Sequence, residues 1–258
     1  NAVVAFPPNV SEFYISDTWL FGNARASVLG IGSPTTGIAS WGYARNNAGQ
    51  ILINPSNGLP ISDGLFKLRG DRNPAFTLGI QNSLRYKNWR LSFLWDLKIG
   101  GDIFNANEMF LTGIGRSNRT ADRFVPRVID GVLNDGFANT ATPTRNTISV
   151  IPGYNDAYYT ASNMPEEAFI QKNVNWLRMR DITLSYSLTD RALRNLNGVK
   201  SASIFITGND LFLITNYMGA DPQVSGNTAA TRGVGAFGFD YGTLATPISV
   251  NFGVRVGF

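Results

Sequence analysis

The sequence holds neither cysteine nor histidine in its 258 residues. Without cysteine there can be no disulfide, thiol nucleophile, thiolate zinc site or iron–sulfur cluster. Without histidine there is no Ser-His-Asp triad, HExxH metal site or imidazole base. Carboxylate chemistry is left, but Glu166-Glu167 and Asp130/Asp135 are acids paired only by sequence. General acid–base work needs a positioned pair in a cleft, and these residues read as solvated loop carboxylates. Asn134-Asp135-Gly136 lacks the remaining ligands of a calcium loop. No catalytic residue, metal or cofactor is expected, and the chain is not read as an enzyme.

Charge is scarce. Charged residues make up 16% of the chain, where a soluble domain averages about 25%. The net charge of +4 comes from 22 basic and 18 acidic residues. The basic residues are scattered, so no nucleic-acid partner is expected. Long apolar runs are missing too, and no stretch approaches the ~18 residues of a membrane helix. The opening Asn1-Ala2-Val3-Val4-Ala5-Phe6-Pro7-Pro8 carries no basic region and no long apolar core of a signal peptide. Mean hydropathy is −0.06, a value that looks soluble but would also result from alternating apolar and polar residues.

The residues present are those of a β protein. Apolar residues account for 43%, too many for a disordered chain. Aromatics reach 12% and glycines number 27, a composition suited to strands and many turns. Over 248–258, Ile248, Val250, Phe252, Val254, Val256 and Phe258 alternate without error against Ser249, Asn251, Gly253, Arg255 and Gly257. At ~3.3 Å per residue this segment is ~36 Å long. Tilted by about 45°, it would rise ~26 Å, close to the ~25 Å apolar band of a membrane β-barrel. The same period runs through 75–87, 89–99 and 181–188, and less cleanly through 201–213. A water-soluble sandwich would alternate in the same way.

Three features favour the barrel. Connections alternate in length: Lys87-Asn88 is a two-residue turn, 100–175 is long, 189–200 is short, and 217–247 is long again. All long loops then lie at one end and all short ones at the other, as in outer-membrane barrels. Tyr86, Trp89 and Phe258 gather at the short-turn end, where an interfacial aromatic girdle would sit. The final strand ends in Phe258, which is expected to act as the C-terminal barrel-assembly signal. Before Asn73 the pattern is weaker, with short strands at 38–45 and 50–54 around Asn46-Asn47-Ala48-Gly49. Short helices are expected within 102–115 and 189–196.

Several ordered motifs resemble the SusC/RagA-type TonB-dependent outer-membrane receptors. Gly70-Asp71-Arg72-Asn73-Pro74-Ala75-Phe76 is similar to that family's GDxNPxF, and Ile99-Gly100-Gly101-Asp102-Ile103-Phe104-Asn105 to its GGDxxN. Trp176 to Tyr186 resembles xLRLRxxTLxY. Gly208-Asn209-Asp210-Leu211-Phe212 with Tyr217-Met218-Gly219-Ala220-Asp221-Pro222 resembles GxNLxxxTxYxGxDP, and the last strand resembles FGlxxxF. The likeness covers about residues 38–258.

The resemblance implies an all-β fold: the C-terminal strands of a transmembrane antiparallel β-barrel of about 22 strands, with long extracellular loops and short periplasmic turns. Residues 1–73 would hold poorly placed strands and an extracellular loop. Residues 74–258 would hold barrel strands with long loops at 100–175 and 217–247. The five clear strands fall short of the about eight a barrel needs, so the rest of the wall, and the plug, would come from a longer chain or from other chains. The implied function is import of oligosaccharide or oligopeptide across the bacterial outer membrane. The implied partners are a SusD-like surface lipoprotein, TonB acting through the plug, lipid and lipopolysaccharide, and the glycan or peptide substrate.

Asp181, Thr183, Ser185, Asn251 and Arg255 would face the lumen. Loop aromatics Tyr154, Tyr158, Tyr159, Phe237, Phe239 and Tyr241 could stack on a sugar, clasp a peptide, or simply pack within ordered loops. Gly233 to Gly238 spells GxGxxG but lacks the strand–helix setting of a dinucleotide site and reads as loop glycine. Asp221-Pro222 reads as a turn opener. Two rival readings are a barrel of this family recruited as a structural subunit of a larger envelope complex, and a soluble glycan-binding β-sandwich.

Overall fold

The structure is a computed structural model that describes residues 37–65, 67–194, 198–224 and 238–258. Residues 1–36, Phe237 and the rest of the 225–237 glycine-rich segment lie outside the described residues. In chain order the strands are β1 (Gly37–Ser40), β2 (Leu52–Ile53), β3 (Lys67–Asp71), β4 (Phe76–Tyr86), β5 (Trp89–Ile99), β6 (Ile103–Asn105), β7 (Arg127–Val128), β8 (Val132–Leu133), β9 (Ser149–Val150), β10 (Ile170–Gln171), β11 (Trp176–Ser187), β12 (Ser201–Thr215), β13 (Phe239–Asp240) and β14 (Ser249–Gly257). Short helices occur at Ala106–Gly113 and Asp190–Leu193. Among the described residues no helix is long and apolar enough to cross a membrane.

The chain divides into two compact units. One comprises residues 74–101, 173–222 and 244–258 and is a sheet. Its five strands run antiparallel in the order β14-β12-β11-β5-β4. The period-2 segments of the sequence became these strands because alternate side chains then leave opposite faces. Tyr86 pairs with Trp89 across the two-residue turn, and Lys87 takes φ +53° to close it. The β11 register slips between Met179 and Asp181: against β5 Arg180 is an extra residue, whereas against β12 the extra residue lies on β12 between Asn209 and Phe212. The turn between β4 and β5, the end of β11, the start of β12 and the end of β14 all fall at one end of the sheet.

The other unit takes in the described residues up to Asn73, 102–172, and those within 223–243. Its strands are short: β1 pairs with β3, β7 with β9, β2 with β8 in parallel, and β10-β6-β13 form a three-stranded sheet. Asn105 caps the Ala106–Gly113 helix by accepting the Glu108 N–H at 2.8 Å. Ile38, Phe104, Ala106, Phe169, Ile170 and Phe239 make one buried cluster, and Leu59, Val150 and Tyr158 another. The turn at 46–49 is closed by the Asn46 side chain, whose Oδ1 accepts from Ala48 and Gln50 N–H at 3.1 and 2.8 Å. Gly238 sits at φ +81° against Arg72, and a Cβ there would run into the arginine stem. Only glycine fits that position comfortably.

Candidate functional site

The sheet has two chemically distinct faces. Phe76, Leu78, Ile80, Leu84, Ile204, Ile206, Val250, Phe252, Val254 and Val256 share one of them, and all are exposed. Phe252 is 78% exposed. An apolar surface this continuous marks contact with a membrane or a partner. Its aromatic end lies by the short turn. Trp89 and Tyr186 are a cross-strand pair with ring centroids 4.8 Å apart, and Lys87 Nζ lies 5.3 Å over the Tyr86 ring. Phe258, 80% exposed, follows β14 at the same end.

The opposite face is polar. The register aligns Thr183 with Thr207 and Asn251, and Ser185 with Phe205 and Gly253. Asp181 and Arg255 belong to the same alternating positions of β11 and β14. Asp181, Thr183, Ser185, Asn251 and Arg255 therefore share one face. Side-chain hydrogen bonds link the strands there: Thr183 Oγ1 and Thr207 Oγ1 are 2.8 Å apart, and Asn209 Nδ2 donates to Ser249 Oγ at 3.0 Å.

A charge network that the sequence pattern did not reveal sits toward the other end of this sheet. Arg180 Nη2 is 2.7 Å and its Nε 3.1 Å from Asp96 Oδ2. Arg178 Nη1 is 3.3 Å from Asp210 Oδ1, and its Nη2 bonds Asp221. Asp221 also accepts the Thr246 N–H at 3.1 Å. Arg178 and Asp221 are almost fully buried. The one sequence signal was the Arg178-Met179-Arg180 interruption of the apolar period. The Asp221-Pro222 turn thus serves as an anchor that ties the segments beside Asp221 and Thr246 to β11.

In the other unit the proposed loop aromatics take different positions. Phe239 is wholly buried, 6.1 Å edge-on to Phe104, with Tyr241 stacked at 6.5 Å. Tyr158 is buried, 4.8 Å from Tyr159. Burial and its neighbour Tyr158 raise the Tyr159 pKa. Tyr154 is 77% exposed and leans on Phe124 at 5.5 Å. Phe239 and Tyr241 come together, Tyr158 and Tyr159 come together, and Tyr154 stands apart from both pairs. Arg72 lies 5.3 Å over the Phe239 ring, and burial pulls its pKa down to about 10.

One expectation is corrected. Glu166 and Glu167 are not solvated: Glu166 accepts the Trp41 N–H at 3.3 Å and Glu167 the Tyr43 N–H at 2.9 Å. Glu167 also pairs with Arg45 at 2.7 Å and Arg69 at 3.4 Å. The 41–45 backbone needs acceptors there, and the two acids supply them. Asp130, by contrast, is 92% exposed beside Arg145 at 3.4 Å.

No family model matches the chain. Two proteins of Formosa agariphila are similar to it: TonB-dependent receptor P3, 26% identical over 81% of this chain and 19% of that protein, and TonB-dependent receptor P26, 25% identical over 73% and 17%. The chain thus spans less than a fifth of the length of these relatives. Structures of the RagAB peptide importer share its fold. In the open-open state the TM-score is 0.52 at 15% identity, covering 88% of this chain and 23% of the other. In the closed-closed state the TM-score is 0.51 at 13% identity, covering 85% and 23%. Both relatives are named as TonB-dependent receptors. The strand order, the two-faced sheet and these likenesses converge on one reading: the chain is similar, in sequence and in fold, to a β-barrel segment of a SusC/RagA-type TonB-dependent receptor.

Proposed function

We propose that the chain forms part of the wall and loops of an outer-membrane transporter that takes up oligopeptide or oligosaccharide, powered through TonB and working with a SusD-like surface lipoprotein. The observation that carries this reading is the sheet with one exposed apolar face and one hydroxyl- and charge-bearing face. An open sheet cannot stand in lipid, because its edge amides would lack partners. Among the described residues the outer edges of β4 and β14 are unpaired, so further strands would close the wall. The apolar face then meets lipid and the polar face, with Asp181, Thr183, Ser185, Asn251 and Arg255, lines the lumen. Residues 74–258 supply wall and loops, and residues 1–73 join the loop side. Peptide is the favoured cargo, since the RagAB structures that share the fold are of a peptide importer. Tyr154, the most exposed of the described loop aromatics, is assigned to substrate contact.

The test is uptake by cells that produce the full receptor. Deleting the receptor should abolish accumulation of labelled oligopeptides, and so should inactivating TonB. Unchanged accumulation of both peptides and oligosaccharides in the deletion strain would overturn the proposal. Loss of oligosaccharide uptake alone would reassign the cargo.

A further inference from the structure

Two aromatic side chains of the loop unit stand together in the open. Phe124 is 59% exposed and Tyr154 77%, yet their ring centroids lie 5.5 Å apart with the planes tilted by 50°. A lone exposed ring needs no explanation. A packed pair that leaves most of both rings uncovered is apolar surface for a ligand to bury.

The pair is firmly seated. The segments that carry it are joined just beyond it, where β7 pairs Arg127 with Val150 of β9. The Gly153 N–H donates to the Arg123 carbonyl at 2.7 Å and ties them a second time. A Cβ on Gly153 would lie 2.7 Å from the Phe124 ring, so the ring rests on bare backbone. Arg127 Nη2 is 2.7 Å from Asp122 Oδ1, and the Val125 N–H donates to the Asp122 carbonyl at 2.9 Å, which fixes the turn that presents Phe124. A site shaped in advance loses little freedom when something binds.

Beside the pair lies a cation without a counter-ion. The Arg123 guanidinium carbon is 6.0 Å from the Phe124 ring centroid, and its Nη1 reaches the Gly115 carbonyl at 3.4 Å. Among the described residues Arg123 belongs to no ion pair. The neighbouring acid, Asp122, is taken by Arg127. A guanidinium offers a planar fork that matches a carboxylate with two parallel hydrogen bonds. The apolar notch and the fork are so close that one residue of a ligand must fill both. The C-terminal residue of a peptide does this, because its side chain and its carboxylate leave the same Cα. A sugar ring would need a flat, open aromatic face, and here the rings are tilted and the guanidinium lies over Phe124.

We infer that Phe124, Tyr154 and Arg123 form a specificity site for the C-terminal residue of a peptide, one with an aromatic or large apolar side chain and a free carboxylate. The inference rests on the reading of the receptor as a peptide importer. It deepens that reading from a class of cargo to one end of the cargo molecule.

The experiment uses the full-length receptor extracted in detergent from outer membranes. Three fluorescein-labelled pentapeptides are the probes: Gly-Ser-Gly-Ser-Phe as the free acid, the same peptide as its C-terminal amide, and Gly-Ser-Gly-Ser-Gly as the free acid. Fluorescence anisotropy gives the affinities. The first probe should bind about tenfold more tightly than either of the others. Tyr154→Ala should remove the preference for Phe over Gly and keep the preference for acid over amide. Arg123→Gln should do the reverse. Tyr154→Phe should keep both. Tyr154 is so exposed that its loss leaves the fold intact, and heat-modifiable migration checks each variant. Equal affinity for all three probes, binding of none, or preferences that survive Tyr154→Ala and Arg123→Gln would overturn the inference. So would displacement of the first probe by maltohexaose, which would give the rings to a saccharide. If Tyr154→Ala instead releases a co-purifying lipoprotein and leaves both preferences intact, the pair belongs to that partner and the inference falls. None of these outcomes decides the importer reading, which stands or falls on uptake by the deletion strain.

Discussion

The two units of the chain handle their apolar residues in opposite ways. In the unit of short strands a set of large side chains forms a hidden core, where Phe104 and Phe239 are 1% and 0% exposed. In the sheet unit Phe252 and Val254 stand open at 78% and 68%. The first unit is built like any water-soluble fold, with a small core and polar loops. The second keeps its polar residues on one face and turns its apolar face outward. Apolar side chains that open to water would be a liability, so the sheet is built for a different solvent on that side. One chain therefore obeys two solvent rules, and each can be tested against the other.

The sharpest break would come from emptying the core of the first unit. Phe239→Ala removes a ring packed between Phe104, Tyr241 and Arg72. The expected loss is about 3–5 kcal/mol. Protease sensitivity of the loop unit in the folded receptor would report it, with the cleavage sites inside residues 102–172. The barrel strands should keep their resistance to heat and detergent. Equal loss in both units would mean that they do not fold separately.

The next largest effect concerns the sheet. Ile206 on the apolar face and Thr207 on the polar face are adjacent in β12. Ile206→Arg should cost ~2–4 kcal/mol if that face meets the bilayer midplane. Thr207→Arg should change stability by well under 1 kcal/mol, because its face already accommodates arginine. Urea titration of the receptor refolded into vesicles measures both. Equal costs would remove the distinction between the faces.

How far the sequence carried depends on distance along the chain. The strands around Lys87-Asn88 and 248–258 were legible, because a period of 2 and a tight turn are local signals. So were the helix within 102–115 and the 46–49 turn. The core of the first unit was not legible, because it joins Ile38 to Phe104, Phe169 and Phe239. Even β6 and β13 pair across that gap, in parallel. Glu166 and Glu167 were misjudged for the same reason, since their donors lie at Trp41, Tyr43, Arg45 and Arg69. The irregularities at Arg180 on β11 and between Asn209 and Phe212 on β12 hid the Arg178–Asp210–Asp221 network, because an extra residue breaks the period that locates a face. Of the candidate site residues, the five on the polar face share a face as their spacing implied. The loop aromatics went to separate places, which composition alone could not distinguish.

Tyr43 gives the first unit a pH signature of its own. Burial and then the nearby Glu167 charge raise its pKa to about 12. An unfolded tyrosine ionises near 10. Below pH 10 both states hold the proton, and this residue adds no pH dependence. Between pH 10 and about 12 the unfolded chain has lost the proton while the folded one keeps it, so stability falls as pH rises. Proteolysis of the loop unit should therefore accelerate above pH 10. Tyr43→Phe should flatten that rise, and an unchanged profile would remove Tyr43 from the explanation.

The smallest effect separates surface charge from buried structure in the same place. Arg45 Nη2 lies 2.7 Å from Glu167 Oε1, with side chains 36% and 19% exposed. A pair this open is worth about 0.2–1 kcal/mol and is screened by salt. Arg45→Ala should thus cost little, and less still at high ionic strength. Glu167→Ala should cost more, because the Tyr43 N–H and Arg69 also lose their acceptor. That larger share should survive added salt, since a partly buried backbone hydrogen bond is screened less than a surface ion pair is. Protease-resistance curves at low and high salt for the two variants decide the matter. Equal, salt-sensitive losses would make Glu167 a surface residue after all, while a salt-resistant excess for Glu167→Ala makes it a strut of the first unit.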